Sequence, residues 1–289
     1  MTSTPDSPPA SSAGAVAPPP AQPAGGLLDA LLADLRAEGD LLRATVADLD
    51  AAGWATPTPA PGWSVATQVG HLLWTDEVAA LSARAGTPEG KAAWDEVVTG
   101  ALGDPDRFVD EAALALGALP PAELLARWDA ARAGLAEALR AVPAGQRMPW
   151  FGPPMSPTSM GTARFMETWA HAQDVHEALG TTPPPSDRIR HVAHLGVRTR
   201  GFAHSVHGEP APTEEVRVEL TSPSGETWAW GPDDAAQRVT GPALDFCLLV
   251  TQRVHRGDTA LVAEGAEADH WLDIAQAFAG PAGEGREKR

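Results

Sequence analysis

The segment Arg164-Phe-Met-Glu-Thr-Trp-Ala-His-Ala-Gln-Asp174 is the part of the chain richest in charged and metal-ligating side chains. It lies inside a helix that the apolar spacing predicts over about residues 159–179. Gly180 ends this helix, because glycine readily takes the left-handed conformation in which many helices terminate, and prolines follow at 183–185. Long helices joined by loops are typical of a bundle, so this segment predicts one bundle helix.

Glu167, His171 and Asp174 recur at intervals of four and three residues, which places them on one face of the helix. A Glu and a His one turn apart can bind the same metal ion. The plainer alternative is a solvated ion pair on the helix surface. On this spacing, Asp174 either orients His171 from behind the metal ligands or is exposed to solvent.

A metal site built on Glu167 and His171 needs a third ligand from elsewhere in the chain. His71 is the best candidate, because it lies among apolar residues in a second predicted helix. Bundles commonly build metal sites from inward side chains on facing helices. Taken alone, His71 is more often a hydrogen-bonded histidine of the core.

Apolar residues at three- and four-residue intervals predict the other helices of the first half. Ser64 is a suitable N-cap for the second of them. The predicted helices cover about residues 27–52, 65–85, 90–117 and 120–142. Together with the helix of Glu167, they predict a four-helix bundle with an extra short helix.

The second half of the chain mixes helical and strand patterns, so the predicted fold class is α+β, with an N-terminal four-helix bundle followed by a small α+β domain. Helices are predicted at about 187–206, 242–254 and 267–279, and strands at 216–220, 227–230, 237–240 and 259–263. The predicted domains are a disordered Pro- and Ala-rich tail at 1–26, a metal-binding bundle at 27–182, the α+β domain at 183–280 and a second disordered tail at 281–289.

The composition narrows the classes of partner and compartment. The 289 residues carry a formal net charge of −17, which argues against nucleic acid or anionic membranes as partners. No apolar run approaches the roughly 18 residues of a membrane span, and the N-terminus lacks the basic start of a secretion signal. A soluble cytoplasmic protein is therefore expected. The single cysteine, Cys247, excludes an intrachain disulfide and is expected to pack as a small hydrophobe.

Two other histidine pairs compete weakly with this site. His191 and His194 are three residues apart, as are His204 and His207. Neighbouring arginines disfavour a cation there, so partly exposed residues on helix faces are expected. The sequence has no Gly-rich phosphate loop, no Gly-x-Ser-x-Gly and no Cys-x-x-Cys, and it therefore predicts neither nucleotide binding, serine hydrolysis nor dithiol redox chemistry.

Two groups of residues resemble a known family. Residues 61–72, PGWSVATQVGHL, taken with Glu167, His171 and Asp174, resemble the mycothiol-dependent maleylpyruvate isomerases. That family belongs to the DinB-like superfamily of metal-binding four-helix bundles. Residues 241–253, GPALDFCLLVTQR, resemble its C-terminal domain.

The resemblance implies a metal site made of His71, Glu167 and His171, with zinc as the usual metal. It also implies a substrate-binding arginine from the C-terminal domain. Arg253 is the candidate for this role, and Arg198 and Arg200 are the alternatives.

The activity implied by the resemblance is thiol chemistry. In this family a thiol adds to a cis double bond and leaves again as the trans isomer forms, while other members of the superfamily transfer the thiol permanently. A zinc-dependent isomerase or transferase is therefore implied, acting on a small electrophile with mycothiol as cosubstrate. Residues 150–155 and 191–200 are similar to an actinobacterial branch, and the GC-rich codon usage suggested by 19 arginines against two lysines fits such a source.

Two alternatives remain open from the residues. Zinc could activate a water molecule for hydrolysis, with Asp174 or Glu177 as the general base. The chain could instead bind a metal or a ligand without turnover.

Overall fold

The computed structural model describes residues 24–105 and 107–289. As predicted, the N-terminal part is helical and the C-terminal part contains a small sheet. The first part contains α1 (Ala24–Val46), α2 (Ala51–Trp54), α3 (Val65–Arg84), α4 (Pro88–Gly103), α5 (Phe108–Gly117), α6 (Pro121–Ala141) and α7 (Pro157–Leu179). The second contains α8 (Arg190–Arg198), α9 (Arg200–Val206), β1 (Val216–Thr221), β2 (Thr227–Trp230), β3 (Gln237–Pro242), α10 (Ala243–Val250), β4 (Val262–Glu264) and α11 (Ala266–Ile274). None of the helices in the two described ranges is long and apolar enough to cross a membrane.

The first helix begins earlier and ends earlier than predicted. Of the tail predicted for residues 1–26, residues 1–23 lie outside the described part of the chain, and α1 already begins at Ala24. It ends at Val46 rather than near residue 52. A turn separates it from α2, whose first turn is capped by the Asp50 side chain accepting from the Gly53 amide at 2.8 Å.

Helix α3 is the centre of the bundle. It packs against α5, α6 and α7 and is buried on almost every side, as expected for a helix surrounded by neighbours. Its contact with α5 is close at Gly70, where a side chain would lie 2.6 Å from the carbonyl oxygen of Ala113. Because α3 also packs on α7, the two helices that carry the predicted ligands meet inside the bundle.

The region predicted as one helix over 90–117 is two helices, α4 and α5. Asp104 leaves the helical conformation, with φ of −148° and ψ of 78°, and Pro105 follows. A residue before proline is disfavoured in the helical region, which is the physical reason for the break. Both helices pack against α3 and form one side of the cavity described below.

The C-terminal sheet has the strand order β2-β1-β3-β4. β1 pairs antiparallel with β2 and parallel with β3, and β3 pairs antiparallel with β4. Val218, Leu220 and Val239 are fully buried, in the alternating pattern of strands with one face on a core. The first three strands confirm their predicted positions, whereas the fourth lies at 262–264 instead of 259–263.

One hydrophobic core joins the two parts of the chain. It contains Leu31 and Phe165 from the bundle and Phe246 and Trp271 from the C-terminal domain, all of them buried. Full burial of a large apolar side chain contributes about 1.5–3 kcal/mol. The two domains therefore stabilise each other and are held in a defined relative position.

Helix α10 ends at Val250 rather than near residue 254. Gln252 takes a left-handed conformation with φ of 58°, and the Arg253 amide donates to the Leu248 carbonyl at 2.7 Å. The turn releases Arg253 from the helix and allows its guanidinium to reach Asp174 of the bundle at 2.9 Å.

Two other helices of the C-terminal domain differ from their predicted extents. The helix predicted for 187–206 is divided at Thr199 into α8 and α9. α11 ends at Ile274 rather than 279, because a loop follows in which the Gln276 side chain donates to the carbonyls of Phe278 and Pro281, each at 3.1 Å.

Residues 281–289, predicted as a disordered tail, form no helix or strand and lie against the bundle. Arg286 donates to Asp174 at 2.7 Å and to the Pro59 carbonyl at 3.0 Å. Arg289 pairs with Glu177. This segment therefore supplies cations to two carboxylates of α7.

The thiol of Cys247 is expected to be unreactive in the folded protein. It is fully buried, its Sγ donates to the Ile189 carbonyl at 3.4 Å, and burial raises its pKa far above the usual range. Because the thiolate is the reactive form, we expect no labelling by an aromatic disulfide reagent at pH 8 before denaturation and complete labelling afterwards. Labelling of the native protein within minutes would contradict this packing.

Candidate metal centre

The three predicted ligands meet between α3, which carries His71, and α7, which carries Glu167 and His171. The Nε2 atoms of His71 and His171 lie 3.4 Å and 3.2 Å from the same oxygen of Glu167, Oε2. The two imidazole rings are 4.5 Å apart, and one ligand atom from each residue lies within 4.8 Å of the others. The fold thus gathers two histidines and one carboxylate at one point.

The two distances from Glu167 Oε2 to the histidine nitrogens fit edges of a tetrahedral metal site. Zinc binds imidazole nitrogen and carboxylate oxygen at about 2.0–2.1 Å, so the edge between two ligands of a regular tetrahedron is about 3.3 Å. The observed 3.4 Å and 3.2 Å match that edge. They exceed the roughly 2.7–2.9 Å of a direct charge-assisted hydrogen bond. The residues therefore fit the kind of ion that the family resemblance implies.

The protonation states of this cluster also suit a cation. Burial, with a smaller contribution from neighbouring His171, lowers the pKa of His71 to about 4. Burial by itself would raise the pKa of Glu167, but hydrogen bonds with His171 and His71 outweigh it and hold that pKa well below its usual value. At neutral pH, His71 is a neutral imidazole and Glu167 a carboxylate, the forms that bind metals.

Gln68 holds His171 in the orientation that the cluster needs. The Gln68 amide oxygen accepts a hydrogen bond from His171 Nδ1, which leaves the lone pair of that ring on Nε2. The amide nitrogen of Gln68 donates to Thr58 Oγ1 at 2.8 Å, and Thr58 donates to the Trp63 carbonyl at 3.0 Å. A hydrogen-bonded partner behind a ligating histidine fixes its tautomer and ring orientation.

Trp63 covers the two imidazoles. Its ring stacks on His171, with centroids 5.8 Å apart and planes 15° from parallel, and lies 5.1 Å from the ring of His71. The indole Nε1 donates to Asp110 Oδ1 of α5 at 3.1 Å. This hydrogen bond to α5 holds the loop before α3 over the ligand cluster.

A cavity of about 760 Å³ adjoins the cluster. His71, Glu167 and His171 form part of its lining, together with two arginines, Arg164 and Arg253. Most of the remaining lining is apolar: Trp74, Val98, Ala101, Leu102, Pro105, Phe108, Val109, Trp150, Phe151, Met166, Ala170, Phe278 and Ala279. The arrangement is that of a ligand site, with an apolar wall and a few convergent polar groups.

Arg253 reaches this cavity from the C-terminal domain and is held by Asp174. Its Nη2 donates to Asp174 Oδ2 at 2.9 Å, while Arg286 donates to the other carboxylate oxygen at 2.7 Å. Asp174 is 2% exposed, so neither role predicted from its spacing is correct. It neither orients His171 nor faces solvent, but binds two guanidinium groups.

The two alternative arginines lie elsewhere. Arg198 is exposed. Arg200 is buried and donates to the Glu214 carbonyl at 2.8 Å and to Glu267 at 3.4 Å. Among these three arginines, Arg253 is the one that lines the cavity beside the ligand cluster.

A second group of possible metal ligands contains His204, Glu209 and His270. The two histidine nitrogens lie 2.9 Å and 2.8 Å from the same Glu209 oxygen, which is the length of a hydrogen bond and shorter than a tetrahedral ligand edge. These residues therefore form a hydrogen-bonded network. The prediction that His204 is partly exposed is wrong, because its side chain is 4% exposed.

The remaining histidines of the two pairs show no such grouping. His191 is half-buried and lies 2.8 Å from Asp34 through its Nε2, whereas His194 and His207 are exposed, as expected for helix-face residues.

The sequence patterns assigned no role to three residues that shape the site: Trp63, Gln68 and Arg164. Each had a positional signal. Gln68 precedes His71 by one helical turn, and Arg164 precedes Glu167 by the same interval. Trp63 lies in the loop that leads directly into α3.

Two family models match the chain. Residues 35–176 match the model described as the mycothiol maleylpyruvate isomerase N-terminal domain. Residues 212–264 match a model described as wyosine base formation. The first match spans the helices that carry the ligand cluster, and the second covers the sheet with α10.

The chain is also similar to proteins from two strains of Mycobacterium tuberculosis, Rv0036c and MT0041, both described as uncharacterized. Each is 56% identical over 255 residues, which is 88% of this chain and 97% of the relative. Among solved structures, the crystal structure of a mycothiol-dependent maleylpyruvate isomerase superposes with a TM-score of 0.54, and that of its His-to-Ala mutant with 0.55. Both comparisons have 15% sequence identity and cover 82% of this chain and 92% of the other.

The structural likeness establishes a shared fold, and the sequence match places the ligand-bearing helices in a named domain family. The chain belongs to the mycothiol maleylpyruvate isomerase family defined by that N-terminal domain.

Proposed function

We propose that this protein is a metal-dependent isomerase or transferase that uses a thiol to act on a small electrophile. His71, Glu167 and His171 would hold zinc or another divalent ion, and mycothiol would be the thiol. The observation that carries the proposal is the spacing of Glu167 Oε2 from both histidine nitrogens, which matches two edges of a tetrahedral site, at the lining of an apolar cavity. The choice of mycothiol is supported by family membership and by the solved relatives named for that thiol.

The residues around the site prepare it for this chemistry. A divalent ion bound there would favour a thiolate over a thiol and so make the thiol nucleophilic at neutral pH. Gln68 keeps the lone pair of His171 on Nε2. Trp63 restrains both imidazole rings.

The cavity supplies the space for an electrophile beside the ligands. A substrate bound against its apolar wall would displace water, which would strengthen the electrostatic interactions inside the cavity. We assign Arg253 the role of binding a substrate carboxylate, because a guanidinium fork matches the two carboxylate oxygens. Asp174 holds this side chain in place at 2.9 Å, so less conformational entropy is lost when the substrate binds.

The hydrolase alternative gains no support from the positions of its predicted bases. Asp174 has both oxygens bound by arginines, and Glu177 pairs with Arg289. Neither carboxylate lines the cavity that contains the ligand cluster.

Metal binding should require each of the candidate ligands. We expect about one divalent ion per chain in the wild-type protein and loss of most of it in His171→Ala or His71→Ala, because each change removes one of three ligands. Gln68→Ala should retain the ion with about 10–100-fold weaker affinity, the usual effect of losing a group that orients a ligating histidine. Elemental analysis and competition with a chromophoric chelator measure both quantities.

Three variants serve as controls for the metal prediction. Gln173→Ala removes an amide of α7 whose nitrogen has no partner among the described residues. His191→Ala and His204→Ala remove histidines outside the cluster. All three should bind the ion as the wild type does, and a full equivalent of metal in the His71→Ala/His171→Ala double variant would refute the ligand set.

The proposed activity predicts strict dependence on metal and thiol. The apoprotein and Glu167→Gln should both fail in thiol-dependent turnover, because glutamine lacks the charge that helps retain the ion. Metal content is therefore measured beside the rate. The first assay combines mycothiol with maleylpyruvate, and other small unsaturated acids follow.

Two outcomes would redirect the assignment. Equal turnover with and without a thiol, by metal-replete protein, would favour hydrolysis by activated water. Metal binding without turnover of any electrophile in the series would favour a binding protein.

Arg253→Ala and Arg286→Ala are a matched pair, because each removes one of the two guanidinium partners of Asp174 and leaves the other. Of the two, Arg253 lines the cavity. We expect Arg253→Ala to raise KM for a carboxylate substrate about tenfold or more, as loss of a charged hydrogen bond implies, with metal content unchanged. Arg286→Ala should leave KM near the wild-type value, and an equal rise in both would assign the effect to the Asp174 network.

A further inference from the structure

We propose that the cavity selects a ligand with a large apolar or aromatic body and an anionic group, and that Arg164, besides Arg253, binds that group. The inference rests on the proposed function and deepens it by naming the substrate class. The substrate would be an apolar unsaturated carboxylate rather than a small hydrophilic diacid. The aromatic wall of the cavity indicates the apolar body of the ligand, and the unpartnered Nη2 of Arg164 indicates its anionic group.

The wall of the cavity contains a continuous aromatic surface. The ring of Trp74 lies 5.2 Å from that of Phe108, which lies 6.1 Å from that of Phe151, which in turn lies 5.2 Å from that of Trp150. Aromatic surfaces favour apolar and aromatic groups. When one carboxylate of a small diacid binds the arginines, the other would lie against this wall, where it would lose hydration without gaining hydrogen bonds.

The size and exposure of the cavity support the same class of ligand. Its volume of about 760 Å³ is in the range of sites that enclose ligands of drug size. Three of its apolar residues remain considerably exposed, Leu102 at 74%, Phe151 at 46% and Val109 at 37%. Clustered exposed apolar side chains beside a cavity mark a surface that a ligand covers.

Arg164 supplies the polar half of the site. It is 2% exposed, and its Nε donates to Asp76 Oδ1 at 3.0 Å. Its Nη2 is buried and has no hydrogen-bond partner among the residues of the two described ranges. Leaving a buried charged N–H unsatisfied is costly, and an oxygen of a bound anion would satisfy it.

The position of Arg164 places that anion beside the metal ligands. Arg164 lies one helical turn before Glu167 on α7, and both line the cavity. Arg253 differs from it, because its Nη1 and Nη2 each already donate one hydrogen bond, to the Thr251 carbonyl and to Asp174, and keep one further N–H each for a substrate. Arg164 is therefore the arginine of the cavity with an uncommitted terminal amino group.

The test measures binding to full-length, metal-loaded protein without a thiol and without turnover. The probe is 8-anilinonaphthalene-1-sulfonate, which has an aromatic body and one anionic group. Its uncharged counterpart, N-phenyl-1-naphthylamine, reports the aromatic wall alone. We expect saturable binding of one molecule of each probe per chain, and displacement of the sulfonate by cinnamate but not by equal concentrations of maleate.

The decisive variant is Asp76→Asn/Arg164→Gln, which neutralises both members of the buried pair and so leaves no unpaired buried charge. Asparagine and glutamine can still hydrogen-bond to each other and so keep α3 and α7 in register. The variant should therefore retain its metal, bind the neutral probe as the wild type does, and bind the sulfonate at least tenfold more weakly. Leu102→Asp should weaken both probes. Leu114→Asp is its matched control, because Leu114 is also exposed, at 49%, but does not line the cavity, and it should weaken neither.

Unchanged sulfonate affinity in the folded double variant, with folding verified by circular dichroism, would refute the role of Arg164. Displacement of the sulfonate by maleate as readily as by cinnamate would refute the apolar substrate class. Because no step uses a thiol, failure of these binding results with thiol-dependent turnover intact would refute only this inference. The expected binding without thiol-dependent turnover would refute the proposed reaction and leave the site in place.

Discussion

The arrangement of the site depends on a buried ion pair between the two helices that carry the ligands. Asp76 of α3 and Arg164 of α7 are 3% and 2% exposed, and their side chains lie 3.0 Å apart. Trp128 of α6 donates to the other oxygen of Asp76 at 3.2 Å, so three helices meet at one carboxylate. Losing one member of such a pair costs about 3–5 kcal/mol, because a charge is left buried without compensation. Sliding α3 along α7 would have the same effect, and this constraint holds His71 opposite Glu167 and His171.

The C-terminal domain completes the site from the other side of a shared core. Phe246 and Trp271 pack in the same cluster as Phe165 of α7, so the domains cannot shift without opening that cluster. The end of α10, with Gln252 in a left-handed conformation, turns Arg253 toward the bundle. The buried carboxylate of Asp174 fixes its guanidinium at the cavity. Hydrophobic burial thus sets the distance between the domains, and one ion pair sets the direction of a side chain.

The cavity combines a polar side with an apolar wall, and these two features serve different purposes. The side next to α3 and α7 holds two imidazoles, a carboxylate and Arg164, whose charges act strongly because little water surrounds them. The wall from α4, α5 and the loop of Trp150 has aromatic and aliphatic side chains. Much of the wall thus comes from segments that do not carry the candidate ligands, while Trp74 of α3 and Met166 and Ala170 of α7 join the wall to the ligand-bearing helices.

The sequence by itself determined the features that depend on local spacing. It indicated the helical first half, the shared face of Glu167 and His171, the burial of Cys247 and, with the family resemblance, His71 as the third ligand. The first three follow from residue spacing and apolar runs along one element, whereas the choice of His71 depended on the resemblance. Only the tertiary structure decided the partners of Asp174, the role of Gln68 behind His171 and the unsatisfied Nη2 of Arg164. The contacts of Asp174 and Gln68 join residues 79 to 112 positions apart. Local spacing does not specify which faces of two helices meet, in what register, or which buried group is left without a partner.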